Sequence, residues 1–211
     1  MKDIKFYKVV VFVNSLVPLA LAAWDWSQGK LGANPVEFLT RTTGMLTLVF
    51  LFISLAVTPL RRLTSVQWLI QFRRMLGLYA FFYGFLHLLT YVWFDRSFNL
   101  KSAVSDIYAR PFIAVGMLSF FLLVPLAITS TKGWIKRLGG KRWARLHKLA
   151  YVAAVGGVVH FWMLVKSDTR LPLRFAFVLA VLLGSRVFIK QMKQKTPPRT
   201  LVPRPGGGVK P

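Results

Sequence analysis

Apolar residues are gathered in six runs along this chain, separated by short stretches that concentrate Gly, Pro, Lys and Arg. A helix of about 20 apolar residues crosses the roughly 30 Å hydrocarbon core of a bilayer, and a half-buried strand would instead alternate apolar with polar positions. The runs cover 9–26, 45–60, 75–94, 112–129, 149–165 and 173–189, the second and last being somewhat short. Gly29, Gly32 and Pro35 follow the first, Pro59 closes the second, Arg110 and Pro111 precede the fourth, and Pro172 precedes the sixth. Such residues end or start helices. The pattern predicts an all-α integral membrane protein built as a six-transmembrane-helix bundle.

Composition agrees and fixes an orientation. Of 211 residues 55% are hydrophobic, the mean hydropathy is +0.52, and 29 Lys and Arg stand against 6 acids. A formal charge of +23 would suit a nucleic-acid binder if it lay on a polar surface, but here it lies between apolar runs, so no nucleic acid partner is expected and membrane lipid is. Assigning the connecting segments alternately to two sides puts 21 of the 29 basic residues on one of them, which the positive-inside rule makes the cytoplasm. Both termini then lie in the cytoplasm, and Asp25, Glu37, Asp95, Asp106 and Asp168 lie outside. A competing reading treats Lys2, Lys5 and Lys8 with the run to Ala20-Leu21-Ala22 as a cleavable signal peptide; Trp24 and Trp26, suited to the membrane interface, favour a retained helix. Residues 196–211, with five prolines and three consecutive glycines, read as a disordered Pro/Gly-rich cytoplasmic tail.

The absence of cysteine excludes disulfides, Cys-ligated clusters and thioether-bound haem. Three histidines remain, His87, His147 and His160, each within or at the rim of an apolar run. Ionisable side chains at membrane depth mark function. Spans three and five run in the same direction, His87 follows Arg74 by 13 residues, and His160 follows His147 by 13. His87 and His160 should therefore share a level in the outer half and act as the two axial ligands of a b-type haem held between helices 3 and 5. His147 is a weaker candidate, for a second haem or another cofactor contact, because 13 residues at about 100° each turn it about 140° away from His160. Both can face one seam only if Gly156 and Gly157 distort the helix or if His147 precedes it. Two bis-histidine haems would also need four histidines. Arg74 stands where the fourth would be, and a guanidinium has no lone pair for iron but suits a propionate, a flavin phosphate or a quinone. Arg73 and Arg142 are further candidates for such contacts.

Several segments together are similar to one known family. They are Leu31-Gly32-Ala33-Asn34-Pro35-Val36, Thr58-Pro59-Leu60, Arg73-Arg74-Met75-Leu76-Gly77-Leu78, Leu86-His87-Leu88 with Tyr91, Arg110-Pro111-Phe112, Thr129-Ser130-Thr131, Gly140-Lys141-Arg142-Trp143 through Leu146-His147 to Tyr151, and His160 with Lys166. In this order and spacing the chain resembles the MsrQ (YedZ) family, haem-binding membrane subunits of the periplasmic methionine-sulfoxide reductase system within the wider group of ferric-reductase-like transmembrane cytochromes. The resemblance implies a ferric-reductase-like haem-binding domain over 1–195 in the bacterial inner membrane, with one or two b-type haems. It implies electrons taken from the quinone pool and handed to a periplasmic molybdopterin-containing reductase that repairs methionine sulfoxide, and it implies FMN, whose site no residue here locates. Asn34 departs from the acid found in some relatives, and nothing from Pro198 onward matches.

Two other classes are weighed. A self-contained ferric reductase or oxidase would need a flavin and nicotinamide module, but no extramembrane segment exceeds about 20 residues and no G-x-G-x-x-G follows a strand-like run. A transporter would show paired broken spans and intramembrane acids, and neither is present. No triad, carboxylate pair or hydrolase spacing occurs, so any catalytic centre is expected in the partner. The runner-up is a ferric-reductase-like cytochrome serving a different redox partner and fed by a separate flavin reductase.

Overall fold

The computed structural model describes residues 3–165 and 167–195. The expected disordered tail, 196–211, and Lys166 lie outside the described residues. Among the described residues every regular element is helical: α1 (Ile4–Ser27), α2 (Pro35–Thr64), α3 (Ile70–Thr90), α4 (Leu100–Ala109), α5 (Pro111–Ile128), α6 (Lys132–Leu138), α7 (Gly140–Leu146), α8 (Leu149–Leu164) and α9 (Arg170–Lys195). A 3-10 turn at Gln67–Leu69 leads into α3, and a π-helical turn at Tyr91–Asp95 prolongs it.

Among the described residues five helices are long and apolar enough to cross a membrane: Ile4–Ser27, Pro35–Thr64, Gln67–Asp95, Pro111–Ile128 and Arg170–Phe188. The remaining expected span is α8, whose 16 residues reach about 24 Å at 1.5 Å each. Phe12, Val17, Leu118, Phe121, Val152, Phe177 and Val181 are exposed on the flanks of these helices. So much outward apolar surface is stable against lipid and not against water. The molecule is an all-helical integral membrane protein.

The second helix departs most from its expected bounds, running over 30 residues where 45–60 was anticipated. Its start is set by Asn34, whose side chain accepts from the Glu37 backbone N–H at 3.1 Å, with Pro35 at the first helical position, where no N–H is needed. That cap gives Asn34 a structural task. Pro59 does not end the helix either. Its missing N–H frees the carbonyl of Leu55 four residues earlier, and Arg186 Nη2 of α9 donates to that oxygen at 2.6 Å. The helix continues to Thr64 and stops at Ser65, which is left-handed with φ 57°.

Packing places α2 against α3 and α5 against α8, with α9 lying on α8 and α2. Leu55, Ala80, Tyr83 and Ala154 form the most buried part of the core. Tyr79 and Tyr83 of α3 donate to the carbonyls of Phe12 and Ser15 at 2.8 and 2.6 Å, which ties α1 to the bundle. At one end gather Arg61, Arg62, Arg73, Arg74 and the segment from Lys132 to Lys148, which folds as α6 and α7. The opposite end carries α4, Asp106 and the connections α1–α2, α3–α5 and α8–α9.

Candidate haem-binding site

His87 on α3 and His160 on α8 meet inside the bundle toward the end opposite the basic cluster. Their ring centroids are 6.1 Å apart and their planes cross at 78°. Each ring is held by the same local device on a neighbouring helix. His87 Nδ1 donates to the carbonyl of Thr40 at 2.8 Å, and the ring lies over Gly44, one turn further along α2. His160 Nδ1 donates to the carbonyl of Phe112 at 2.6 Å, and its ring lies over Gly116, one turn further along α5. A carbonyl accepts only, so both imidazoles carry the proton on Nδ1 and present the lone pair of Nε2. Anchoring of this kind fixes the orientation of metal-binding histidines and raises their basicity.

The glycines are required by the approach of the rings. A methyl group at Gly116 would stand 2.7 Å from His160 Nδ1, and one at Gly44 would stand 3.0 Å from His87 Nδ1. Both distances are far inside van der Waals contact.

A fit to haem follows from these dimensions. Metal–imidazole bonds of about 2 Å place the centroids of two axial rings about 6 Å apart, as found. Among the described residues there is no group of three or more His, Cys, Asp or Glu that could hold a bare ion. Two imidazoles complete a coordination sphere only if the ligand brings its own equatorial donors, which a porphyrin does.

The basic end is built differently. His147 caps the C-terminus of α7, in the turn before α8 starts at Leu149, so the angular mismatch along a continuous helix does not arise. Its ring lies 4.0 Å from that of Trp143, whose Nε1 donates to the carbonyl of Thr129 at 2.9 Å. The Thr129 hydroxyl donates to the Pro125 carbonyl at 2.6 Å, so at 3.2 Å from His147 Nε2 it acts as acceptor. His147 therefore carries its proton on Nε2, the reverse of the other two. Burial, and then the positive charge of Arg73, hold its pKa down to about 4. The structure brings Arg73 near His147, whereas Arg74 and Arg142 are exposed.

Several participants carried no sequence signal. Thr40 and Phe112 contribute backbone oxygens, which any residue could offer at that place. Gly44 and Gly116 read as ordinary small residues within apolar runs. Arg186 stands at the edge of the last apolar run with nothing in the sequence to set it apart, yet it lies inside α9 with Tyr151 as a hydrogen-bond partner.

Residues 40–158 match the family described as ferric reductase like transmembrane component, a stretch that begins at Thr40 and ends two residues before His160. The chain is 51% identical over 183 residues to the protein-methionine-sulfoxide reductase haem-binding subunit MsrQ of Herminiimonas arsenicoxydans, covering 86% of this chain and 84% of that protein. The subunit of the same name from Ralstonia nicotianae is 49% identical over 189 residues, 89% of this chain and 87% of its own length. That from Azospira oryzae is 50% identical over 188 residues, 88% and 80% respectively.

Proposed function

The chain belongs to the MsrQ family of haem-binding subunits, with a ferric-reductase-like transmembrane domain, and from that premise we propose that it passes electrons from the quinone pool through a b-type haem to a periplasmic molybdopterin-containing methionine-sulfoxide reductase. The observation that carries this reading is the His87–His160 pair, 6.1 Å between centroids, with both Nδ1 atoms committed to backbone carbonyls. Held there, a haem b would supply a one-electron iron couple, which suits electron transfer. His87 and His160 would hold it through the free Nε2 atoms. Thr40 and Phe112 hold the rings in one tautomer, and Gly44 and Gly116 leave room for them.

The orientation follows the charge. The basic end faces the cytoplasm of an inner-membrane protein, both termini lie there, and α8 crosses as the sixth span, with the bilayer thinned slightly around its 16 residues. The histidine pair then lies near the periplasmic face, where the partner docks. At the cytoplasmic side Val10, Asn14, Phe50, Ile53, Phe72 and Leu76 line an apolar cavity of about 460 Å³ open to lipid, which suits a quinone. His147, with Arg73 beside it, is the second cofactor position, for a further haem or FMN. A haem there would take His147 through Nδ1, or through Nε2 after release of Thr129. Arg74 and Arg142, being exposed, would reach only the outer groups of such a ligand.

The test is spectroscopic. His87→Ala and His160→Ala should each remove the dithionite-reduced b-haem band of the pair while the far-ultraviolet signature of helix persists. Full haem content in either variant would refute the axial pairing. His147→Ala should keep that band and alter reduction by a quinol analogue.

A further inference from the structure

Arg186 lies within the apolar stretch of α9, at the α2–α9 seam near the basic end, and it is turned inward. Nη2 donates to Leu55 O of α2, Nη1 donates to Tyr151 Oη of α8, and the guanidinium lies 4.7 Å from the centre of the Tyr151 ring. Its Nε–H is buried without a partner. Both of its hydrogen bonds go to neutral oxygens, so its charge is unanswered. Beside it, the face of α2 that follows Leu55 carries Thr58, Arg61 and Arg62 at helical spacings of three and four. Thr58 Oγ1 and Arg61 Nε are also buried without hydrogen-bond partners. Arg62 and Arg73 add positive charge close enough to bear on Arg186. Among the described residues the ion pairs use only Glu37 and Asp106, both at the other end of the bundle.

Three buried donors without acceptors and four cations without a carboxylate define what is missing. Buried polar groups are paired in stable structures, and a buried charge is costly unless answered. An isolated Arg near a helix end would extend to the headgroups and meet water; Arg186 points into the seam instead. Guanidinium groups match the oxygens of phosphate in shape and charge. The seam lies about one helical turn inside the end of the apolar stretch of α2, within reach of headgroup phosphates on that side, and basic pockets between membrane helices take anionic headgroups. We propose that Arg61, Arg62, Arg73 and Arg186, with the hydroxyl of Thr58, form a binding site for a phosphate group, filled by the headgroup of an anionic phospholipid or by a soluble phosphate compound.

The experiment uses the full chain with its haem, in detergent, followed by thermal unfolding and by native mass spectrometry. Two probes are added separately, phosphatidylglycerol against a phosphatidylcholine background, and inorganic phosphate without lipid. Wild type should retain one phosphate-bearing ligand and unfold at a higher temperature with at least one probe. Arg61→Gln is the primary variant, because the Arg61 side chain makes no hydrogen bond within the described fold and its loss leaves packing intact. It should weaken binding about tenfold or more, as should Arg186→Gln. Lys132→Gln removes an equal charge from the exposed α6 and should leave binding unchanged. A response to phosphatidylglycerol alone identifies a lipid headgroup, and a response to inorganic phosphate identifies a soluble compound; either supports the site. No response of wild type to either probe would overturn it, as would equal binding by Arg61→Gln or an equal loss in Lys132→Gln. Haem content, recorded alongside, reports the His87–His160 reading separately.

Discussion

At the scale of single residues, the His87–His160 pair depends on what does not occupy space. His160 reaches the Phe112 carbonyl because Gly116 has no side chain, and His87 reaches Thr40 over Gly44. The two sites differ in tightness, since a methyl group would lie 2.7 Å from the ring at Gly116 and 3.0 Å at Gly44. Gly116→Ala should therefore lower haem per protein severalfold, Gly44→Ala less, with helix content of both unchanged by circular dichroism. Equal haem retention in both would mean that the rings do not need this approach. A smaller effect is expected at Tyr83, whose hydroxyl donates to Ser15 O at 2.6 Å deep in the core. Tyr83→Phe keeps the ring and removes the bond, at a cost of about 1 kcal/mol. It should lower the unfolding temperature by a few degrees without touching the haem spectrum.

At the scale of elements, the instructive case is a proline inside a long helix. Pro59 predicts an end to the second span, since it cannot donate to Leu55 O. Arg186, 131 residues away, makes that donation instead, and α2 continues. If this is its structural role, Arg186→Met should destabilise the protein by about 1–3 kcal/mol, the cost of a buried unsatisfied carbonyl. In a Pro59→Ala background the helix supplies its own N–H, and the same change should cost about 1 kcal/mol less. A double-mutant cycle on unfolding reads that difference directly; additivity of the two changes would deny the coupling. Helix α5, which follows α4, shows the complementary case. Pro111 sits at the first position of α5, where the absent N–H is harmless, and the predicted boundary holds.

At the scale of the whole molecule, one asymmetry runs from end to end: cations at one pole, the carboxylates Glu37 and Asp106 with their ion pairs at the other, and the histidine pair nearer the second. Because the chain lacks cysteine, single introduced cysteines report sidedness without background. In sealed spheroplasts an impermeant maleimide should label Ser27→Cys, Asn99→Cys and Asp168→Cys, and should spare Ser65→Cys and Lys132→Cys until the membrane is opened. Labelling at Asp168→Cys decides whether the 16-residue α8 crosses. The reverse pattern at all five positions would invert the proposed orientation.

The helical class, the membrane and the two histidines at one level were readable from the sequence, because bilayer thickness and helix rise convert apolar length and residue spacing directly into depth. Helix ends were read less well. A proline signals a lost hydrogen bond, but the sequence does not say whether a distant donor replaces it. The anchoring of His87 and His160 was invisible for a related reason: backbone carbonyls at Thr40 and Phe112 have no residue type, and a glycine announces a close approach only once its neighbour is known. Which polar groups at the basic end are partnered and which are not was likewise decided only when α2, α8 and α9 came together, since burial belongs to the packed bundle and to no segment of the chain by itself.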